Sequence, residues 1–246
     1  MISIIVAIRY NPSLSQVCID SILKYTKDFE LILVQEGEDE EITKLCQSYR
    51  SDNVLFTQNK VPKGYAGALN SGMRLSIMER NEVDGYYCFM NNDTVATPHW
   101  MDEMLLAFNE PEVGLVSPTF WGMGNRQSVD WNNGKQFDFV IDPFTITGVC
   151  YLVKKEVIDK IGKWDESFGH GGEDFDFTIR VSDAGYRMVI ARKSFIYHYG
   201  GASTRELFGG NGGDLVLVRQ NQKEKIEMLE KKYPDMDIKN KFKDIL

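Results

Sequence analysis

The chain has 246 residues, 43% hydrophobic and 12% aromatic, with a formal net charge of −8. That apolar content excludes a disordered chain, and the acidic balance argues against a general nucleic-acid binder, which carries a basic excess. The length suits a single α/β domain.

ISIIVAI (2–8) is short, continuous and rich in Ile and Val, the pattern of a strand buried on both faces. Asn11, Pro12 and Ser13 open a helix, with Leu14, Val17, Cys18, Ile22 and Leu23 at helical spacing. FELILV (29–34) predicts a second buried strand, followed by a helix with Ile42, Leu45, Cys46 and Tyr49 on one face. NVLFTQ (53–58) predicts a third strand. Residues 64–80 form a third helix, striped by Tyr65, Leu69, Met73 and Ile77, and GYYCFM (85–90) a fourth strand. This alternation implies a parallel sheet with right-handed crossovers, whose ligands bind beyond the carboxyl ends of the strands. Asn91, Asn92 and Asp93 stand just past one such end.

The pattern then loosens. A short helix is expected at 100–108 and a strand at 113–118, with loops or a small antiparallel insertion over 119–144. A strand at 146–153, a short helix at 155–161 and a helix at 173–184 follow. Two strands are expected at 187–191 and 194–199, then a flexible GGNGGD (209–214), a helix over 215–233, and a frayed polar tail. Cys18, Cys46, Cys88 and Cys150 are scattered without a CxxC pair, as for buried free thiols in a reducing compartment. The opening apolar run is too short for a signal peptide, and no run reaches transmembrane length. A cytoplasmic protein is expected, with peripheral membrane attachment left open.

Four stretches could carry chemistry. Asp93, at a strand end, suits a hard divalent cation that takes its other ligands from phosphate oxygens; alone, the triplet equally fits a turn cap. GGEDFDFTIR (171–180) crowds Glu173, Asp174 and Asp176 at a helix start. Acids are favoured there by the helix dipole, and Asp176–Arg180 is an ordinary helical pair. Yet a carboxylate beside two glycines also suits a general base for a hydroxyl nucleophile. His198 ends a strand before Gly200 and Gly201, a position for a metal ligand or a structural imidazole. KVPKGYAGALNSG (60–72) could let a nucleotide approach backbone, or simply pack a helix on the sheet; it is neither GxGxxG nor GxxxxGK[ST].

In this order, SIIVAIRYNPS, LILVQEGEDE, KGYAGALNSG, FMNNDTVATPHWM and the segment from ITGVCYLV through HYGGAS resemble the family-2 glycosyltransferases, over about residues 2–204. The resemblance implies a GT-A fold: an α/β domain with a mixed, mostly parallel central sheet flanked by helices. One domain would span 1–208, with a nucleotide-binding half (1–97) and an acceptor half (98–208), followed by a loop and C-terminal helix (209–246). It implies an inverting, metal-dependent transfer from a UDP- or dTDP-sugar, using Mn²⁺ or Mg²⁺. The acceptor hydroxyl would lie on a glycan, a lipid-linked saccharide, a protein or modified DNA.

By position, the resemblance makes Asp93 a metal ligand with His198 as a second, and sets Asn91 and Asn92 against ribose or diphosphate. The backbone of Ala7, Ile8 and Arg9 and the side chain of Glu36 would frame base and ribose, near Lys63 and Gly64. Asp174 would be the general base with Glu173 beside it, Thr147 and Gly148 would border the transferred sugar, and Trp164 and Asp165 the acceptor. Arg205 would add charge to the diphosphate. The chain departs from the family where Gln35 or Glu36 follows the second strand, where Pro62 replaces a common Asn, and where Asn91 replaces the first acid of DxD. Two rivals share these features: a sugar-phosphate nucleotidyltransferase, and a non-catalytic carbohydrate- or nucleotide-binding module stacking sugars on Trp121, Trp131 and Trp164.

Overall fold

The structure, a computed structural model, describes residues 1–80, 85–121, 127–131, 133–200 and 215–242. Its strands are β1 (Ile2–Ile8), β2 (Phe29–Glu36), β3 (Val54–Asn59), β4 (Tyr86–Asn91), β5 (Thr94–Ala96), β6 (Val113–Phe120), β7 (Phe137–Val140), β8 (Cys150–Lys154) and β9 (Arg187–His198). Its helices are α1 (Pro12–Tyr25), α2 (Glu40–Ser48), α3 (Gly64–Arg80), α4 (Trp100–Leu105), α5 (Lys155–Ile161), α6 (Glu173–Asp183), α7 (Leu215–Lys232) and α8 (Ile238–Phe242). Among the described residues the strands form one sheet in the order β3-β2-β1-β4-β8-β6-β9-β5, with β7 paired to β9. This is the expected mixed α/β architecture.

β1 lies between β2 and β4, parallel to both. Successive side chains of a strand point to opposite faces. Ile4, Val6 and Ile8 therefore enter one apolar cluster with Cys18, Ile19 and Trp100, while Ile5 enters another with Leu69, Phe89 and Phe177. A strand wanted by both layers must be apolar throughout, which is why 2–8 reads as a continuous run. β8 then pairs antiparallel to β4, with Met90 opposite Cys150. This reversal brings residues 146–149, ahead of β8, to the same end of the sheet as the tips of β1 and β4.

Three expectations need correction. Residues 146–149 are a turn, not the start of the strand. β9 is a single strand: its register against β6 slips between Pro118 and Thr119, which face Ala191 and Phe195. What resembles a break at 192–193 is thus a bulge in a continuous ladder. The tail does not fray at once, since Ile238 is buried with Phe168, Ile179, Ile226 and Leu229. GGNGGD (209–214) and Arg205 lie outside the described residues. The four cysteines are free and buried, with the sulfurs of Cys88 and Cys150 3.9 Å apart. No described helix is long and apolar enough to cross a membrane.

Candidate active site

β4 ends at Asn91, and Thr94 then starts β5 opposite His198. This pairing sets His198 Nε2 3.3 Å from Asp93 Oδ1, with both side chains largely buried. Tyr199 N–H donates to the Asp93 carbonyl, and Phe120 meets the imidazole edge-on. Among the described residues no group of three or more His, Cys, Asp or Glu is gathered for a metal. The pair nevertheless fits a hard cation: adjacent ligands on an octahedral ion at about 2.1 Å stand about 3 Å apart, and such ions take substrate phosphates as their other ligands. The neighbouring amides differ in role. Asn91 is half-exposed, and its N–H donates to the Val149 carbonyl. Asn92 is buried, and its amide donates to the Tyr10 carbonyl and Ser15 Oγ. Its nitrogen ties the β1–α1 turn to the site floor and is not free for ribose or diphosphate.

The acids arrive from the other direction. Gly148 N–H donates to Asp174 Oδ2 at 3.0 Å, and Phe175 N–H donates to Oδ1. A Cβ at Gly148 would lie 2.8 Å from Asp174 Cβ, so only glycine fits. The Asp174 carboxyl sits above the usual range because burial outweighs the backbone N–H groups of Gly148, Phe175 and Asp174 itself that favour its anion. Glu173 is pushed up to about 8, chiefly by burial and then by the Asp174 charge. Two acids buried side by side hold their protons to higher pH than two separate, solvated carboxyls would. Glu173 Oε2, Tyr65 Oη and Trp164 Nε1 are buried and find no hydrogen-bond partner among the described residues. Orphaned polar atoms of this kind are rare in finished cores.

On the expected nucleotide side, Ile8 is fully buried and offers only backbone, while Ala7 and Arg9 are half-buried. Glu36 is committed within the chain: Asn59 Nδ2 donates to one oxygen and Lys63 N–H to the other. Burial lifts its carboxyl above the usual range despite these donors. Glu36 thus fixes the entry to α3 instead of presenting a bare carboxylate to a base. Lys63 is exposed. Gly64 has φ +75°, and a Cβ there would meet the Gly169 carbonyl oxygen. The start of α3 therefore abuts the loop leading to the acids.

On the acceptor side, Thr147 donates through N–H and Oγ1 to Gln127 Oε1, a partner that sequence reasoning missed. Gln127 is fully buried and also donates to Ser117. Trp164 is a correction. It is buried, stacked on Phe177 at 4.1 Å and edge-on to Phe89, so it supports the site from within the core and presents no free ring face. Asp165 caps a short turn through Ser167 and pairs with Lys232 Nζ at 2.6 Å. Although burial works against it, Lys232 and Ser167 hold its carboxyl down to about 2. His170 is held below its usual range by burial first, then by the charges of Arg9 and Lys225.

Known proteins resemble this chain in sequence and in fold. The family model described as Glycosyl transferase family 2 matches residues 3–162. The O-antigen biosynthesis protein RfbC of Myxococcus xanthus is 25% identical over 231 residues, covering 83% of this chain and 18% of its own length. The poly-beta-1,6-N-acetyl-D-glucosamine synthase of Staphylococcus aureus is 23% identical over 219 residues, covering 80% of this chain and 50% of its own length. The chain thus spans half or less of either relative. The crystal structure of GalNAc-T7 with UDP, GalNAc and Mn²⁺ superposes with a TM-score of 0.67 at 13% identity, covering 80% of this chain and 43% of that one.

Proposed function

The chain belongs to glycosyl transferase family 2 and carries a glycosyltransferase domain, and on that premise we propose metal-assisted, inverting transfer from a UDP- or dTDP-sugar to a saccharide hydroxyl. One observation carries the proposal. Asn91 donates to Val149 while the adjacent Gly148 donates to Asp174. The turn bearing Asp93 and the first turn of α6, bearing the acids, are therefore joined across one β4–β8 junction, at one end of the sheet. This favours a single crevice holding leaving group and base together, as the fold rule for such sheets requires.

Asp93 and His198 would hold a divalent cation, which when bound supplies Lewis-acid stabilisation to the departing diphosphate. The remaining roles belong to the chain. An acceptor hydroxyl has a high pKa and must lose its proton as it attacks. Asp174 is held at both oxygens by backbone N–H groups, yet each oxygen keeps a lone pair for that proton. Glu173, neutral near pH 7, keeps a second negative charge away from Asp174. As the acceptor oxygen bonds to the anomeric carbon, the bond from that carbon to diphosphate breaks and the proton passes to Asp174. Displacement from the face opposite the leaving group inverts the anomeric centre. The names of the relatives, which build O-antigen and poly-N-acetylglucosamine, favour a growing saccharide as acceptor.

The test is release of nucleoside diphosphate from a panel of UDP- and dTDP-sugars with Mn²⁺, with and without chelator, followed by NMR of the product anomer. Asp174→Asn should keep donor binding and lose at least about 100-fold in turnover. Retention at the anomeric carbon, or full activity in that variant, would refute the assignment.

A further inference from the structure

We infer that the end of helix α7 and the residue after it supply positioning groups for the acid pair, with Lys232 and Tyr233 clamping residues 165–176, which lead into Glu173 and Asp174 on the first turn of α6. The inference rests on the proposed transfer reaction and deepens it. The loop has little geometry of its own, because Gly169, Gly171 and Gly172 all adopt positive φ. Its two ends meet at one ammonium: Lys232 Nζ lies 2.6 Å from Asp165 Oδ2 and 2.6 Å from Asp176 Oδ1. Tyr233 Oη donates to the same Asp176 oxygen at 2.6 Å, and Arg180 Nε donates to the other at 2.9 Å.

Asp176 is fully buried and sits on the first turn of α6, two residues beyond Asp174. A carboxylate so placed is tolerable only when it is paired and hydrogen-bonded. Between the two ends, Asn221 Nδ2 donates to the His170 carbonyl at 3.1 Å. A Cβ at Gly172 would stand 3.1 Å from Lys225 Cβ, so α7 lies flush on the loop. Beneath these polar contacts Ile226 and Leu229 pack on Phe168 and Ile179, with Ile238 of α8 closing the cluster. The clamp thus fixes both flanks of the acid pair from outside the stretch that matches the family.

Misplacing a reacting group by about 1 Å costs on the order of 100-fold in rate, so loosening the clamp should lower kcat more than donor affinity. The experiment compares wild type, Lys232→Met/Tyr233→Phe, Tyr233→Phe alone and Lys232→Arg. Ile19→Val, in the opposite core layer, controls for general destabilisation. Nucleoside diphosphate release is measured over the donor panel with Mn²⁺, and amide exchange is followed over 165–176. We expect exchange there to rise at least about tenfold in the double variant, kcat to fall about 10- to 100-fold, and donor KM to stay within about twofold. Lys232→Arg should recover most of kcat, and Ile19→Val should retain it. Should the double variant not fold, Tyr233→Phe must show the same split at smaller size. Wild-type kcat in the clamp variants, or an equal loss in Ile19→Val, overturns the inference. A wild type that turns over no donor overturns the transfer reading instead.

Discussion

Replacing Gly148 by alanine tests the base geometry with the smallest available change. An added Cβ would stand 2.8 Å from Asp174 Cβ, where ordinary contact begins at 3.4 Å. The difference of 0.6 Å must be absorbed by the loop or by the carboxylate, and the 3.0 Å bond from Gly148 N–H to Asp174 Oδ2 ties the two together. If a displacement of 1 Å costs roughly 100-fold, this one costs about 15-fold, or ~1.6 kcal/mol of barrier. Nucleoside diphosphate release with Mn²⁺ reads kcat, and thermal shift with donor reads binding. The expected result is a lowered kcat with donor stabilisation intact. A Gly148→Ala variant within twofold of wild type would show that Asp174 is not held where the chemistry needs it, and the reasoning would fail.

Burial gives Glu173 a folded pKa of about 8 against an ordinary 4.5. The folded state then binds more protons than the unfolded one between those values, so stability should fall as pH rises through that window. Glu173→Gln should flatten the fall in melting temperature between pH 5 and 8; an unchanged slope assigns the effect elsewhere. His198→Ala should raise the Mn²⁺ concentration for half-maximal turnover at least about tenfold, and an unchanged metal titration removes His198 from the ligand set. Gly64→Ala combines a left-handed backbone with a Cβ that would clash with the Gly169 carbonyl oxygen. It should lower the melting temperature by several degrees, for a strain of about 1–2 kcal/mol plus the clash, and wild-type stability would show that the α3–loop junction yields freely.

Legibility from sequence followed physical locality. β1, β2 and β4 could be read because strands buried on both faces must be continuously apolar, and α3 because Tyr65, Leu69 and Met73 recur at helical spacing. β5 could not, since three residues carry no period and its partner, the end of β9, lies about a hundred residues away. Asp93 is placed by a strand end and Asp174 by a helix start, both of which a sequence signals. Asn92 and Glu36 are committed by partners distant in the chain, Tyr10 and Ser15 for one and Asn59 and Lys63 for the other. Nothing adjacent to Asn92 or Glu36 announces those bonds. Trp164 looked ligand-facing in a loop rich in charge and glycine, but Phe89, Tyr151 and Phe177 draw it inward. Gln127 gave no signal, because a buried amide bracing Thr147 resembles any surface glutamine in a polar stretch.

Burial of all four cysteine side chains makes the chain a reporter of its own integrity. Cys18 and Cys46 are both raised to about 12, mainly by removal from water, so an alkylating reagent at neutral pH meets almost no thiolate in the native state. Modification must wait for the fold to open. The rate of reagent uptake then measures how often the helices covering the sheet open, with no dye or engineered label attached.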